Sequence, residues 1–155
     1  MSGSKLAWRR FDERDFAAAL SIFDSNVPEY FTVPERQSFA DFLQRLPGPY
    51  FVVEAMSEGV VACGGYAVVE PPGRGDLCWG MVRRDLHGCG IGTYLTTRRI
   101  EELRADPRVG YVLLNTSHLT QDFYQRLGFS TSEVIENGFG PGLHRYDMRL
   151  DFTRG

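Results

Sequence analysis

Cysteine is scarce in this sequence: Cys63, Cys78 and Cys89 are the only three. An odd number without regular spacing argues against a disulfide framework. No C-x-x-C or H-x-x-x-H pair offers a metal its ligands. Cys63 and Cys78 lie in apolar, strand-like runs and are expected to be small core residues. No apolar run approaches the ~20 residues that a membrane span needs. The opening Met1-Ser2-Gly3-Ser4-Lys5 lacks the apolar core of a signal peptide, and Ser2 to Ser4 read as a tag remnant or a frayed end. Positive charge is not in excess either, with 17 Lys+Arg against 20 Asp+Glu for a net charge of −3. Broad electrostatic binding of nucleic acid is thereby disfavoured. There is no internal repeat and no low-complexity linker. The expectation is one cytoplasmic domain over residues 1–155, with no metal, membrane or nucleic-acid partner.

Of the 155 residues, 43% are hydrophobic and 24% charged, a globular balance. Leu6 to Phe11 reads as a first strand. Asp12 is placed to cap a helix, with Asp15 in its first turn and Phe16, Leu20 and Phe23 as its buried stripe. Pro34 opens a second helix with Phe39, Phe42, Leu43 and Leu46 as its apolar face. Tyr50 to Met56 and Val60 to Glu70 form a hairpin about Ser57-Glu58-Gly59. After a loop at Pro71-Pro72-Gly73-Arg74-Gly75, Asp76 to Val82 completes a meander. Gly90 to Arg104 reads as a helix, Val109 to Asn115 as a strand, Thr120 to Leu127 as a short helix and Phe129 to Ile135 as a strand. A loop over Asn137 to Gly142 precedes the last strand, His144 to Phe152. The order β-α-α-β-β-β-α-β-α-β-β implies an α+β fold with a mixed sheet.

The 17 glycines exceed the usual ~7%, and the most telling group is His87-Gly88-Cys89-Gly90-Ile91-Gly92-Thr93. A strand leads through a turn into a helix whose entry is glycine-rich. Such an entry exposes unpaired N–H groups that attract phosphate oxygens, and glycine lets a ligand come close. A P-loop is excluded because no Lys follows. A dinucleotide turn would need a third glycine and a place after the first strand. A tight turn without ligand stays open on these residues alone.

A second segment narrows the choice. Phe123-Tyr124-Gln125-Arg126-Leu127-Gly128-Phe129, one helix and one strand after the glycine turn, resembles the FYxxLGF signature of the GNAT acyltransferases, and His87 to Gly92 resembles their Q/R-x-x-G-x-G/A loop. The resemblance spans the chain. It implies a mixed, largely antiparallel sheet with helices on both faces, split by the central β-α-β unit. It implies acetyl-CoA as co-substrate, with Gly80, Met81 and Val82 pairing with its pantetheine arm. His87, Gly88, Cys89, Gly90, Ile91, Gly92 and Thr93 would cradle its pyrophosphate. His87 departs from the family's Gln or Arg, which shifts phosphate binding towards main-chain N–H groups and Arg83, Arg84 or Arg98.

The implied reaction moves an acetyl group from acetyl-CoA directly to a primary amine of a small molecule or peptide. Amine attack on a thioester needs a neutral amine, a stabilised oxyanion and a proton for the leaving thiolate. Tyr124 stands where the family places that acid. Asp76 stands where some members carry a base, with His118, His144 or water as alternatives. An N–H near Met81 or Val82 would face the thioester oxygen. Asn26, Glu29, Tyr30, Phe31 and the Asn137–Gly142 loop should flank the acceptor, with Glu29 a partner for an ammonium group. A non-catalytic acyl-CoA-binding module and a homodimer remain open.

Overall fold

The computed structural model describes residues 5–153, so the expected frayed segment at Ser2 to Ser4 lies outside the described residues. Seven strands form one sheet: β1 (Leu6–Arg10), β2 (Tyr50–Ala55), β3 (Gly59–Val69), β4 (Arg74–Val82), β5 (Tyr111–Ser117), β6 (Ser130–Gly140) and β7 (Leu143–Asp151). Their spatial order is β1-β2-β3-β4-β5-β7-β6. Every neighbouring pair is antiparallel except β4 and β5, which run parallel. The parallel pair needs a crossover, and helix α3 (Ile91–Ala105) supplies it. The mixed, mostly antiparallel α+β architecture expected from the sequence is thus present.

Alternation along β2 sorts the core into two layers. Tyr50 and Val52 pack under α1 (Phe16–Ser25) and α2 (Glu35–Gln44), with Ala19, Ile22, Phe23, Phe39 and Leu43. Val53 and Ala55 face the other way, against Ile91 and Leu95 of α3. A third cluster joins the end of α3 to β5 and β7 through Leu103, Val112, Leu114 and Met148. Each fully buried Phe or Leu of this kind contributes roughly 1.5–3 kcal/mol. Among the described residues no helix is long and apolar enough to cross a membrane.

Several boundaries move for physical reasons. Asp12 caps a 3-10 turn, Glu13–Asp15, which leads into α1; its carboxylate accepts from Arg14 N, and that of Asp15 accepts from Asp12 N. Leu46 falls beyond α2 and is exposed. Arg74 and Gly75 belong to β4 rather than to a loop, because they pair with Val69 and Val68 on one side and with Tyr111 and Val112 on the other; Leu103 packs 2.6 Å from where a Cβ on Gly75 would lie. The expected loop over Asn137 to Gly142 is largely strand: β6 continues to Gly140. Its register breaks between Ile135 and Gly140, Asn137 takes a φ of +55°, and the Asn137 side chain accepts from Gly142 N at 2.7 Å. Asparagine tolerates that conformation and ties the segment back into a hairpin. Cys63 is buried as expected, but Cys78 is only half-buried.

Candidate active site

The parallel pairing of β4 and β5 stops after three residue pairs, Arg74 with Tyr111, Gly75 with Val112 and Asp76 with Leu113. From Leu77 onward the strands part, and a cleft of about 1380 Å³ opens between them. On its other side β4 carries a bulge. Cys63 pairs with Met81 and Gly65 with Cys78, so Trp79 and Gly80 oppose Gly64 alone. Trp79 sits at a φ of +40°. The buried Tyr50 hydroxyl holds it by donating to the Trp79 carbonyl at 2.7 Å. Gly80 leaves room for Arg99, whose Nη2 is 2.6 Å from where a Cβ would stand.

Beyond the bulge the edge of β4 is presented to the cleft. Arg83 N donates to Val61 O, so the Val82 carbonyl of the same peptide points the opposite way. There it accepts from Asn26 Nδ2 at 3.0 Å and His87 Nε2 at 2.9 Å. Val82 and Ala62 therefore make the non-hydrogen-bonded type of antiparallel pair, which leaves the Val82 N–H facing the cleft while Met81 bonds to Cys63. Of the two amides considered for the thioester oxygen, Val82 is the one aimed at open space. His87, in the position usually held by Gln or Arg, serves this edge: it fastens Val82 and stands edge-on to Tyr30 at 5.1 Å.

The strand then turns into α3. Gly88 and Gly90 have φ of +82° and +85°, and Gly90 is the helix cap without any side-chain hydrogen bond. A Cβ at either glycine would touch nothing within 4 Å, so conformation rather than crowding selects glycine there. Gly88, Gly90, Gly92 and Thr93 line the cleft; Ile91 is buried beneath it, and Cys89 is exposed and outside the lining. The basic side chains expected to help are engaged elsewhere. Arg83 bridges Asp85 and Glu58, Arg84 pairs with Glu29, and Arg98 lies over the Trp8 ring. An anion at this turn would be met by main-chain N–H groups and the helix dipole.

Tyr124, on α4 (Gln121–Arg126), lines the cleft with its ring edge-on to Phe129 and Phe123. Asp76 lines it at the last parallel pair and is held by Arg74 Nε at 2.9 Å. His118 and His144 lie against each other with their rings tilted by 48°, 4.9 Å between centres, and neither reaches the lining. Each Nδ1 accepts a main-chain N–H, from His144 and Asn137 respectively. Asn26, Tyr30, Phe31 and Phe139 line the cleft; Glu29, committed to Arg84, does not. No group of three or more metal-ligating side chains occurs among the described residues.

Residues 16–129 match the family model described as the acetyltransferase (GNAT) family. The chain belongs to the GNAT family. Acetyl-CoA is the acyl donor general to that family. Solved structures agree on the fold. The ribosomal-protein-S18-alanine N-acetyltransferase of Escherichia coli is 18% identical with a TM-score of 0.79, covering 97% of this chain and 96% of its own. The yncA protein of Salmonella typhimurium, determined with its cofactor acetyl-CoA, is 19% identical with a TM-score of 0.71, covering 98% and 96%. The IAA acetyltransferase of Bacillus cereus is 15% identical with a TM-score of 0.73, covering 96% and 100%. No curated protein matches the chain.

Asn26, expected beside the acceptor, also ties the end of α1 to β4. Within this GNAT fold, two residues had no place in the sequence reading: Trp79 carries the bulge, and Arg99 lies buried beneath both glycines, Gly64 and Gly80. Only the last left a signal, an arginine on the otherwise apolar face of α3.

Proposed function

We propose that this single-domain protein is a cytoplasmic N-acetyltransferase that moves the acetyl group of acetyl-CoA directly to a primary amine. The observation that carries the reading is the edge of β4 from Leu77 to Val82, left without a strand partner on the β5 side and followed by the glycine turn at the N-terminus of α3. An extended pantetheine arm adds to that edge as a strand would, and the pyrophosphate meets the glycine turn. The backbone needs no basic side chain to do this, which fits the engaged state of Arg83, Arg84 and Arg98.

The amine nitrogen attacks the thioester carbon while the Val82 N–H receives the carbonyl oxygen. The carbon–nitrogen bond forms, the carbon–sulfur bond breaks, and the thiolate takes a proton from the Tyr124 hydroxyl. A phenol and a thiol have comparable proton affinities, so this transfer is nearly balanced. Asp76 receives the amine proton, directly or through water; His118 and His144 lie outside the cleft. The acceptor enters past Phe31, Phe42, Trp79 and Phe139, the aromatic part of the cleft lining that comes from outside the glycine turn.

A thermal-shift panel with acetyl-CoA, coenzyme A, ATP and NAD tests the coenzyme assignment. Acetyl-CoA and coenzyme A should raise Tm and the two nucleotides should not. A rise with ATP or NAD alone would overturn it, and turnover across a set of amines separates an enzyme from a silent binding module.

A further inference from the structure

Arg99 is the largest fully buried side chain in the protein, 1% exposed, and it lines the cleft. A guanidinium stays charged in proteins and offers five N–H donors. Here Nε donates to Leu95 O at 3.3 Å, one Nη to Gly65 O at 3.2 Å and the other to Thr96 Oγ1 at 3.4 Å. All three acceptors are neutral and all three bonds lie at the long end of the usual range. Among the described residues no carboxylate forms an ion pair with it. The nearby cleft acids Asp76 and Asp147 are each paired to another arginine, Arg74 and Arg145. The buried ionisable groups that feel its charge are Tyr50, Cys63 and Cys78. Burial pushes the Tyr50 hydroxyl up, the Cys63 thiol up to about 12 and the Cys78 thiol up to about 11, so all three are neutral at pH 7. Burying a cation without a counter-charge is costly, and the fold makes space for this one with Gly64 and Gly80.

The missing anion is not the coenzyme's pyrophosphate. Arg99 lies eight residues beyond the start of α3 at Ile91, about 12 Å along the helix at 1.5 Å per residue. Its guanidinium sits beneath Gly80, in the bulge, two residues before the Val82 amide assigned above to the thioester oxygen. An acetyl group brings no charge there. We propose that Arg99 is the anion subsite of an acyl pocket, and that beside acetyl-CoA the enzyme takes an acyl-CoA whose acyl group ends in a carboxylate, in preference to a neutral acyl group of the same length. The inference rests on the coenzyme site assigned above. The transfer is the same one: the amine nitrogen bonds to the thioester carbon, the carbon–sulfur bond breaks, and the leaving thiolate takes a proton. The amide product keeps the distal carboxylate. The fork of an arginine matches a carboxylate through two parallel hydrogen bonds, which Lys does not reproduce.

Titration calorimetry of the full chain with succinyl-CoA and butyryl-CoA isolates the terminal group, since the two acyl chains have the same number of carbons. Succinyl-CoA should bind tenfold or more tighter to the wild type, the discrimination a charged hydrogen bond supplies. Arg99→Gln should erase the preference and Arg99→Lys keep part of it. Equal affinities in the wild type would overturn the proposal without needing any variant to fold. A preference that survives Arg99→Gln would overturn it too. So would an Arg99-dependent gain for free coenzyme A over succinyl-CoA, which would make the thiolate the bound anion. If neither acetyl-CoA nor coenzyme A binds, the coenzyme site itself is wrong, which is a distinguishable result.

Discussion

At the start of α3 the cleft lining is rich in glycine: Gly88, Gly90 and Gly92 lie beside the β4 edge at Val82. Elsewhere in the lining, Phe31, Phe42, Trp79 and Phe139 come from the inter-helix segment, α2, β4 and β6. The first wall is one short stretch of chain, and its ligand chemistry is that of the backbone. The second is assembled from four distant places and owes its character to side chains. A wall of the first kind suits a coenzyme that every member of a fold shares, because many sequences can build it. A wall of the second kind suits an acceptor that differs between members.

The largest effect that would sharpen this division belongs to Tyr124, which stands between the walls. Tyr124→Phe keeps the ring against Phe129 and removes only the hydroxyl. If that hydroxyl protonates the leaving thiolate, kcat should fall by roughly 10²–10⁴-fold, with kcat/KM falling alongside and acetyl-CoA affinity unchanged. Wild-type kcat, measured with chemistry limiting the rate, would reduce Tyr124 to a packing residue.

Next in size is a test of the backbone wall. Gly92→Asp places a carboxylate at the glycine turn. A Cβ there would meet Phe123 and Val82 at 3.6 and 3.7 Å, ordinary contacts, so the variant should fold. Opposing a phosphate with a negative charge at short range costs about 1–4 kcal/mol, which predicts a Kd for coenzyme A raised tenfold or more. Gly90 is the poorer probe, because its φ of +85° would strain any other residue and mix folding with binding. An unchanged Kd in folded Gly92→Asp would remove the phosphate cradle.

The same division explains what could be read from the chain. The glycine turn, the FYQRLGF segment and the order of elements are local in sequence, and they pointed to the sheet and to two parts of the cleft lining, the glycine turn and Tyr124. The bulge at Trp79 was not legible, because a φ of +40° is imposed by the Tyr50 hydroxyl from another strand. Nor was the fate of Arg83, Arg84 and Glu29, which depends on which charges the fold brings within reach. Asn137 to Gly142 looked like a loop because glycine and asparagine favour turns, but pairing with β7 drew most of it into β6.

A smaller effect should mark the acceptor wall. Phe139→Ala removes a half-buried ring from β6 without touching the glycine turn. The acceptor KM should rise severalfold, as expected from lost apolar contact of about 1 kcal/mol, while acetyl-CoA affinity holds. A shift in coenzyme affinity instead would show that the two walls are not independent.

The smallest effect is expected at Cys89, inside the motif yet outside both walls. It is exposed between Gly88 and Gly90, while Cys63 and Cys78 sit among residues that keep their thiols protonated. A covalent route through an acyl-cysteine would need a thiol aimed at the thioester, and neither the exposed thiol nor the two protonated ones is an activated nucleophile there. Cys89→Ser should therefore keep kcat and coenzyme affinity within about twofold, and the single-turnover time course should show no acyl-enzyme burst. Main-chain conformation at this position is supplied by the flanking glycines, so the substitution leaves the turn intact. Loss of turnover with coenzyme binding preserved would break the comparison at its root, since a side chain outside both walls would then be carrying chemistry.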